Sequence, residues 1–106
     1  MEKQYTFFPD LDATVEQIPD ESIVSRTIFR GDGMKAIVFA FAPGQELSEH
    51  TASVPAIIHI LEGECELTLG PDSFQAGPGA WAAMKPNLAH SLLAKTPVRM
   101  LLIMQG

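Results

Sequence analysis

The sequence predicts an all-β domain, a sandwich or barrel of short strands. Three observations carry that expectation. Eight glycines and eight prolines are spread over 106 residues and interrupt the chain about every 8 to 12 residues, the spacing of strands joined by turns. The runs between the breaks are rich in Ile, Val, Phe, Leu and Thr, which suit a pleated, half-buried surface. No long window carries an apolar stripe at helical period; only Leu11 to Gln17 reads as a short helical turn.

Each element follows from its boundaries and its alternation. The first strand is expected over Ile23–Arg30 and ends at Gly31-Asp32-Gly33. Met34–Ala42 follows and stops at Pro43-Gly44; it is apolar on both faces, with Ile37, Phe39 and Phe41 opposite Met34, Val38 and Ala40. Leu47–Thr51 leads to the break at Pro55, and Ala56–Glu62 runs from there to Gly63. In Ala56–Glu62, Ala56, Ile58 and Ile60 share one face, while Ile57, His59 and Leu61 share the other. Glu64–Leu69 has a wet face of Glu64, Glu66 and Thr68 and a dry face of Cys65, Leu67 and Leu69. Four strands remain, Ser73–Ala76, Trp81–Met84, His90–Ala94 and Val98–Gln105. They are set off by Gly70-Pro71-Asp72, Gly77-Pro78-Gly79, Lys85-Pro86-Asn87 and Thr96-Pro97. Strands apolar on both faces need cover on both. One face fills the barrel, and a second subunit is the expected cover for the other, giving a homodimer with sheet packing across a two-fold axis.

A chain of 106 residues builds one core. The expected domain is therefore residues 1–106, with a core of about 22–105 and an N-terminal arm, 1–21, packed on the barrel or on the partner subunit. Seven basic against 13 acidic residues give a formal charge of −6, which argues against a nucleic-acid or anionic-membrane partner. Cys65 is the only cysteine, so a disulfide framework and a multi-cysteine zinc site are excluded. The first residues lack the apolar run of a signal peptide, and no stretch reaches membrane-spanning length. A cytoplasmic protein is expected.

Two glycine-framed segments hold the chemistry. In PGQELSEHTASVPAIIHILEG, five residues separate Gly44 from His50, and six separate Ala56 from Gly63. In GAWAAMKPNLAHSLLA, Gly79 precedes Lys85-Pro86-Asn87 and His90. These segments resemble the two motifs of the cupin superfamily. The first motif is Gly, five residues, His-x-His, three or four residues, Glu, six residues, Gly. The second is Gly, five residues, Pro-x-Gly, two residues, His, three residues, Asn. Here Ala52 stands at the second histidine and Ala56 at the glutamate, Lys85 replaces the proline, Asn87 the glycine and Ala94 the final Asn. The resemblance spans about Ala36 to Ile103. It implies a single-domain, RmlC-like jelly-roll barrel (a double-stranded β-helix) with a pocket inside.

Of the four usual metal positions, the resemblance leaves His50 and His90. Imidazole suits iron, nickel, manganese, zinc or copper, but two ligands do not complete a shell. His59 is the next candidate, and alternation opposes it: if Ala56 points inward, so do Ile58 and Ile60, and His59 points out. The pocket is expected to be lined by Ala52, Ala56, Ile58, Met84 and Trp81. Three functions fit: a metal-binding cupin acting on or binding a small organic molecule, a metal-free sensor or effector-type cupin that binds a small molecule, and a structural dimer. Whether the protein is an enzyme stays open at this point.

Overall fold

The computed structural model describes residues 3–106. Residues 1 and 2 of the expected arm lie outside them. The strands are β1 (Ile23–Gly31), β2 (Met34–Phe41), β3 (Glu46–His50), β4 (Ala56–Glu62), β5 (Cys65–Leu69), β6 (Asp72–Ala76), β7 (Trp81–Met84), β8 (His90–Ala94) and β9 (Val98–Gln105), preceded by one 3₁₀ turn, Asp12–Thr14. They form two antiparallel sheets, one ordered β1-β2-β9-β4-β7 and the other β3-β8-β5-β6. The fold is a single cupin-type β-barrel, a jelly roll. No helix among the described residues is long and apolar enough to cross a membrane.

Alternation decides which side chains fill the barrel. Ala56, Ile58 and Ile60 of β4, Cys65 and Leu67 of β5, Leu92 and Ala94 of β8, and Val98 and Met100 of β9 join one buried cluster with Phe41, Ala76 and Met84. Burying such side chains contributes about 1.5–3 kcal/mol each for the larger ones. Burial, and next the nearby Glu64 carboxylate, push the Cys65 thiol above its ordinary value, so Cys65 behaves as a small apolar side chain.

The outer face of the five-stranded sheet is also apolar, as β2, β4 and β9 foretold. Part of it is covered by the N-terminal arm. Arg99 Nε donates to the Val15 carbonyl at 2.9 Å, Arg99 Nη2 to the Glu16 carbonyl at 2.9 Å, and Arg99 Nη1 to Glu62 Oε2 at 2.8 Å. Arg26 Nη1 donates to the Thr14 carbonyl at 3.1 Å. Beneath this strap Val38 and Ala40 are fully buried. Desolvation, then Glu62 and Asp10, hold the Asp12 carboxyl above the usual aspartate range, with Arg99 opposing them.

Candidate functional site

One mouth of the barrel gathers the candidate residues. Strand β3 ends there at His50, β4 begins at Ala56, β7 ends at Met84 and β8 begins at His90. The β3–β8 register sets His50 directly opposite His90. Their rings lie 4.1 Å apart, centroid to centroid, tilted by 57°. His90 is 6% exposed, whereas His50 is open to solvent.

The backbone orients both rings in the same way. His50 Nδ1 lies 2.8 Å from the Ser48 carbonyl, and His90 Nδ1 lies 2.9 Å from the Leu88 carbonyl. A carbonyl only accepts, so each Nδ1 carries the proton, and the lone pair of each neutral ring is on Nε2. This is how metal-ligating histidines are held, with the other ring nitrogen tied to a fixed acceptor. The donor set fits half of a transition-metal shell. No group of three or more His, Cys, Asp or Glu side chains able to hold an ion exists among the described residues. The pair on its own leaves the remaining positions to water or to a ligand's own oxygens.

The other expected site residues divide. Ala56 and Met84 are buried and face each other across β4 and β7. A cavity of about 330 Å³ touches both, but Met34, Ile57, Ala83 and Ile103 of the opposite, outer face make most of its wall, so it opens on that face and not at the histidine pair. Ala56, where the family pattern has glutamate, is a core residue on the inner face of the sheet. Ile58 is packed into the core cluster and fills space rather than bounding it. Ala52 lies past the end of β3, and its carbonyl accepts from the Asn87 N–H at 2.7 Å, tying the β3–β4 loop to the β7–β8 turn.

His59 and Trp81 are register partners. Both lie on the face opposite to Ala56, Ile58 and Met84, so neither points towards the histidine pair. Trp81 stands apart from the histidine pair. It is 59% exposed and borders a cleft between the β6 and β7 edges, with Leu67, Phe74 and Ala82. The cause is parity: Trp81 is three residues from the inward Met84, an odd number of steps along a strand.

The pattern's glycine positions are explained by the backbone. Gly44, Gly63, Gly79 and Asn87 all have positive φ, from 69° at Asn87 to 93° at Gly79. Asparagine is among the few other residues that tolerate this region, which accounts for its presence in a glycine's place.

Fold and site together define a two-sheet antiparallel barrel with an imidazole pair at one mouth, framed by left-handed turns. The chain belongs to the cupin family: the family model described as Cupin domain matches residues 37–104. A solved structure of a conserved Streptococcus pyogenes protein of unknown function is 27% identical, with a TM-score of 0.81, covering 99% of this chain and 90% of that one. A cupin superfamily protein from Desulfitobacterium hafniense is 21% identical, with a TM-score of 0.84 and coverage of 95% and 93%. The DMSP lyase DddQ from Ruegeria pomeroyi has the same fold, at 22% identity and a TM-score of 0.72, with coverage of 79% of this chain and 47% of that one. A search of curated proteins finds no match. Relatives this distant share architecture, and the architecture hosts many activities.

Proposed function

We propose that this cupin binds a small organic molecule at the barrel mouth, using His50 and His90 as a two-ligand seat for a divalent transition metal. The observation that supports it most directly is the paired tautomer. Two adjacent rings both have Nδ1 engaged by a backbone carbonyl, so both unshared Nε2 lone pairs are available. A bound ion there supplies Lewis-acid polarisation of a ligand oxygen. The chain's own residues bind and orient: His90 is fixed by burial, His50 is accessible, and Ala52 and Ala56 remove bulk and charge that the family pattern has in their places. A metal-free binding module, with the same imidazoles as hydrogen-bonding groups, is the second reading; the absence of a third His, Cys, Asp or Glu ligand among the described residues favours it.

Elemental analysis of untagged protein after incubation with iron, nickel, manganese, zinc or copper and gel filtration separates the two. One equivalent of metal in the wild type and in His59→Ala, lost in His50→Ala and in His90→Ala, is expected. No retained metal in the wild type sinks the metal seat and leaves the metal-free module.

The same proposal includes a homodimer. The arm leaves Ile57, His59, Leu101, Ile103 and Trp81 on the outer face without cover from this chain, and a second copy offers a surface of matching, nearly uncharged chemistry. One unpaired thiol suits the reducing cytoplasm.

A further inference from the structure

The sheet register carries the mouth further than the histidines. Ala56 is opposite Met104 on β9, Met104 is opposite Lys35 on β2, and Lys35 is opposite Arg30 on β1. Register partners share a face, so Arg30, Lys35, Met104, Ala56 and Met84 form one row across the inner side of the five-stranded sheet, level with the mouth. Lys35 is half-buried. Among the described residues, neither Lys35 nor Arg30 makes a side-chain hydrogen bond or ion pair. Arg30 is exposed on the edge strand and is solvated there, whereas the half-buried Lys35 faces the inner side of the sheet without a partner in a chain of net charge −6.

The β6 and β7 edges meet over the cleft lined by Phe74, Ala76 and Ala82. The other two sheet edges are β1 and β3, and β3 carries His50. Asp72 is the acidic residue on the inner row of the other sheet, beyond Leu69, at the far β6 edge. Glu49 adjoins His50 in the chain and is exposed, and Lys85 sits in the turn after β7. The inner row of the five-stranded sheet is thus cationic at the Lys35 end and apolar along Met104, Ala56 and Met84.

From this we infer that Lys35, with Arg30 beside it, is the anion-recognition element of the mouth, and that the ligand is a small organic carboxylate with an apolar body. The inference rests on the mouth at His50 and His90 being the ligand site. The carboxylate accepts from the Lys35 ammonium, while its apolar part lies against Ala56, Met84 and Met104. A phosphate would call for a denser set of backbone donors, such as a helix N-terminus, and the helical structure among the described residues is one 3₁₀ turn of three residues, Asp12–Thr14. Two neutral imidazoles leave the full charge of a divalent ion uncompensated, which also favours an anionic ligand.

The test uses acetate, butyrate and benzoate, each against its neutral amide, by calorimetry and thermal shift on EDTA-treated and on nickel-loaded full-length protein. At least one carboxylate is expected to bind while its amide does not. Lys35→Gln should weaken it about 10- to 100-fold, the scale of one hydrogen bond to a charged group, and Lys35→Arg should restore most of the affinity. Equal binding of acid and amide, no binding of any acid, or unchanged affinity in Lys35→Gln overturns the inference, whatever nickel does. Carboxylate binding that needs Lys35 in protein that retains no nickel upholds it and removes only the metal seat.

Discussion

Gly63 and Gly79 offer a paired test of what the family's glycines do. Both have left-handed backbones, with φ of 90° and 93°. A methyl group costs each about 1–2 kcal/mol on that account alone. Their surroundings differ. A Cβ at Gly79 meets nothing within 4 Å, whereas one at Gly63 overlaps the Pro97 carbonyl and comes to 2.9 Å from Val98 Cα. Those are main-chain atoms, so no rotamer change relieves the overlap. The β4–β5 turn must move away from the start of β9, where Val98 is fully buried. Such overpacking adds about 1–3 kcal/mol. Gly63→Ala should therefore destabilise by about 2–5 kcal/mol and Gly79→Ala by about 1–2 kcal/mol, out of a total of about 5–15 kcal/mol for a domain. Urea unfolding followed by far-UV circular dichroism measures both; Trp81 is too exposed to report on the core. Unchanged m-values would show that the folded-state comparison is fair. If the two variants fall within about 0.5 kcal/mol of each other, the close approach to Pro97 is not what demands glycine at position 63.

Arg99→Met should cost about 2 kcal/mol, because removing a guanidinium only 12% exposed leaves the Val15 and Glu16 carbonyls without their donors. Its link to the 44%-exposed Glu62 adds little. Limited proteolysis should then cut the arm before β1, and an arm still protected would refute the strap. On the outer face, Trp81→Lys should convert a dimer to a monomer in analytical ultracentrifugation without lowering the stability of the fold, since Trp81 is already exposed in one chain. A wild type that sediments as a monomer refutes the shared face directly.

Strand positions were legible because each strand lies between a turn residue and a change of alternation. β4, β7, β8 and β9 match their expected bounds, and the differences elsewhere are at strand ends: β5 begins at Cys65 and β3 stops at His50. The β3 difference has a physical cause. Its pairing with β8 slips between Leu47 and His50, and the chain then leaves the sheet to reach Pro55. The placement of His59 on the outer face follows from the same two-residue period that makes Ile58 and Ile60 core. Trp81 needed that period counted from Met84. Lys35 shares its parity with Ile37, Phe39 and Phe41 and stands in a strand otherwise apolar on both faces. That signal was in the sequence, but only the register across β2, β9 and β4 puts it level with Ala56.

The family motif therefore separates into two parts that need not be kept together. Its glycine positions are conformational: Gly44, Gly63, Gly79 and Asn87 hold turns that L side chains rarely adopt, and losing them would cost the fold. Its ligand positions answer only to chemistry. With Ala52 and Ala56 in two of them, the barrel still closes, because the small Ala56 side chain packs within the core cluster. What changes is charge. A glutamate at Ala56 would bring one negative charge to the row shared with Lys35, and a cation there would be partly spent on it. An alanine leaves Lys35 and Arg30 without an acidic neighbour on that row. The substitution that weakens a metal shell is the same one that makes the mouth more attractive to an anion, so a ligand that brings its own carboxylate can replace, in one molecule, the charge the chain has given up.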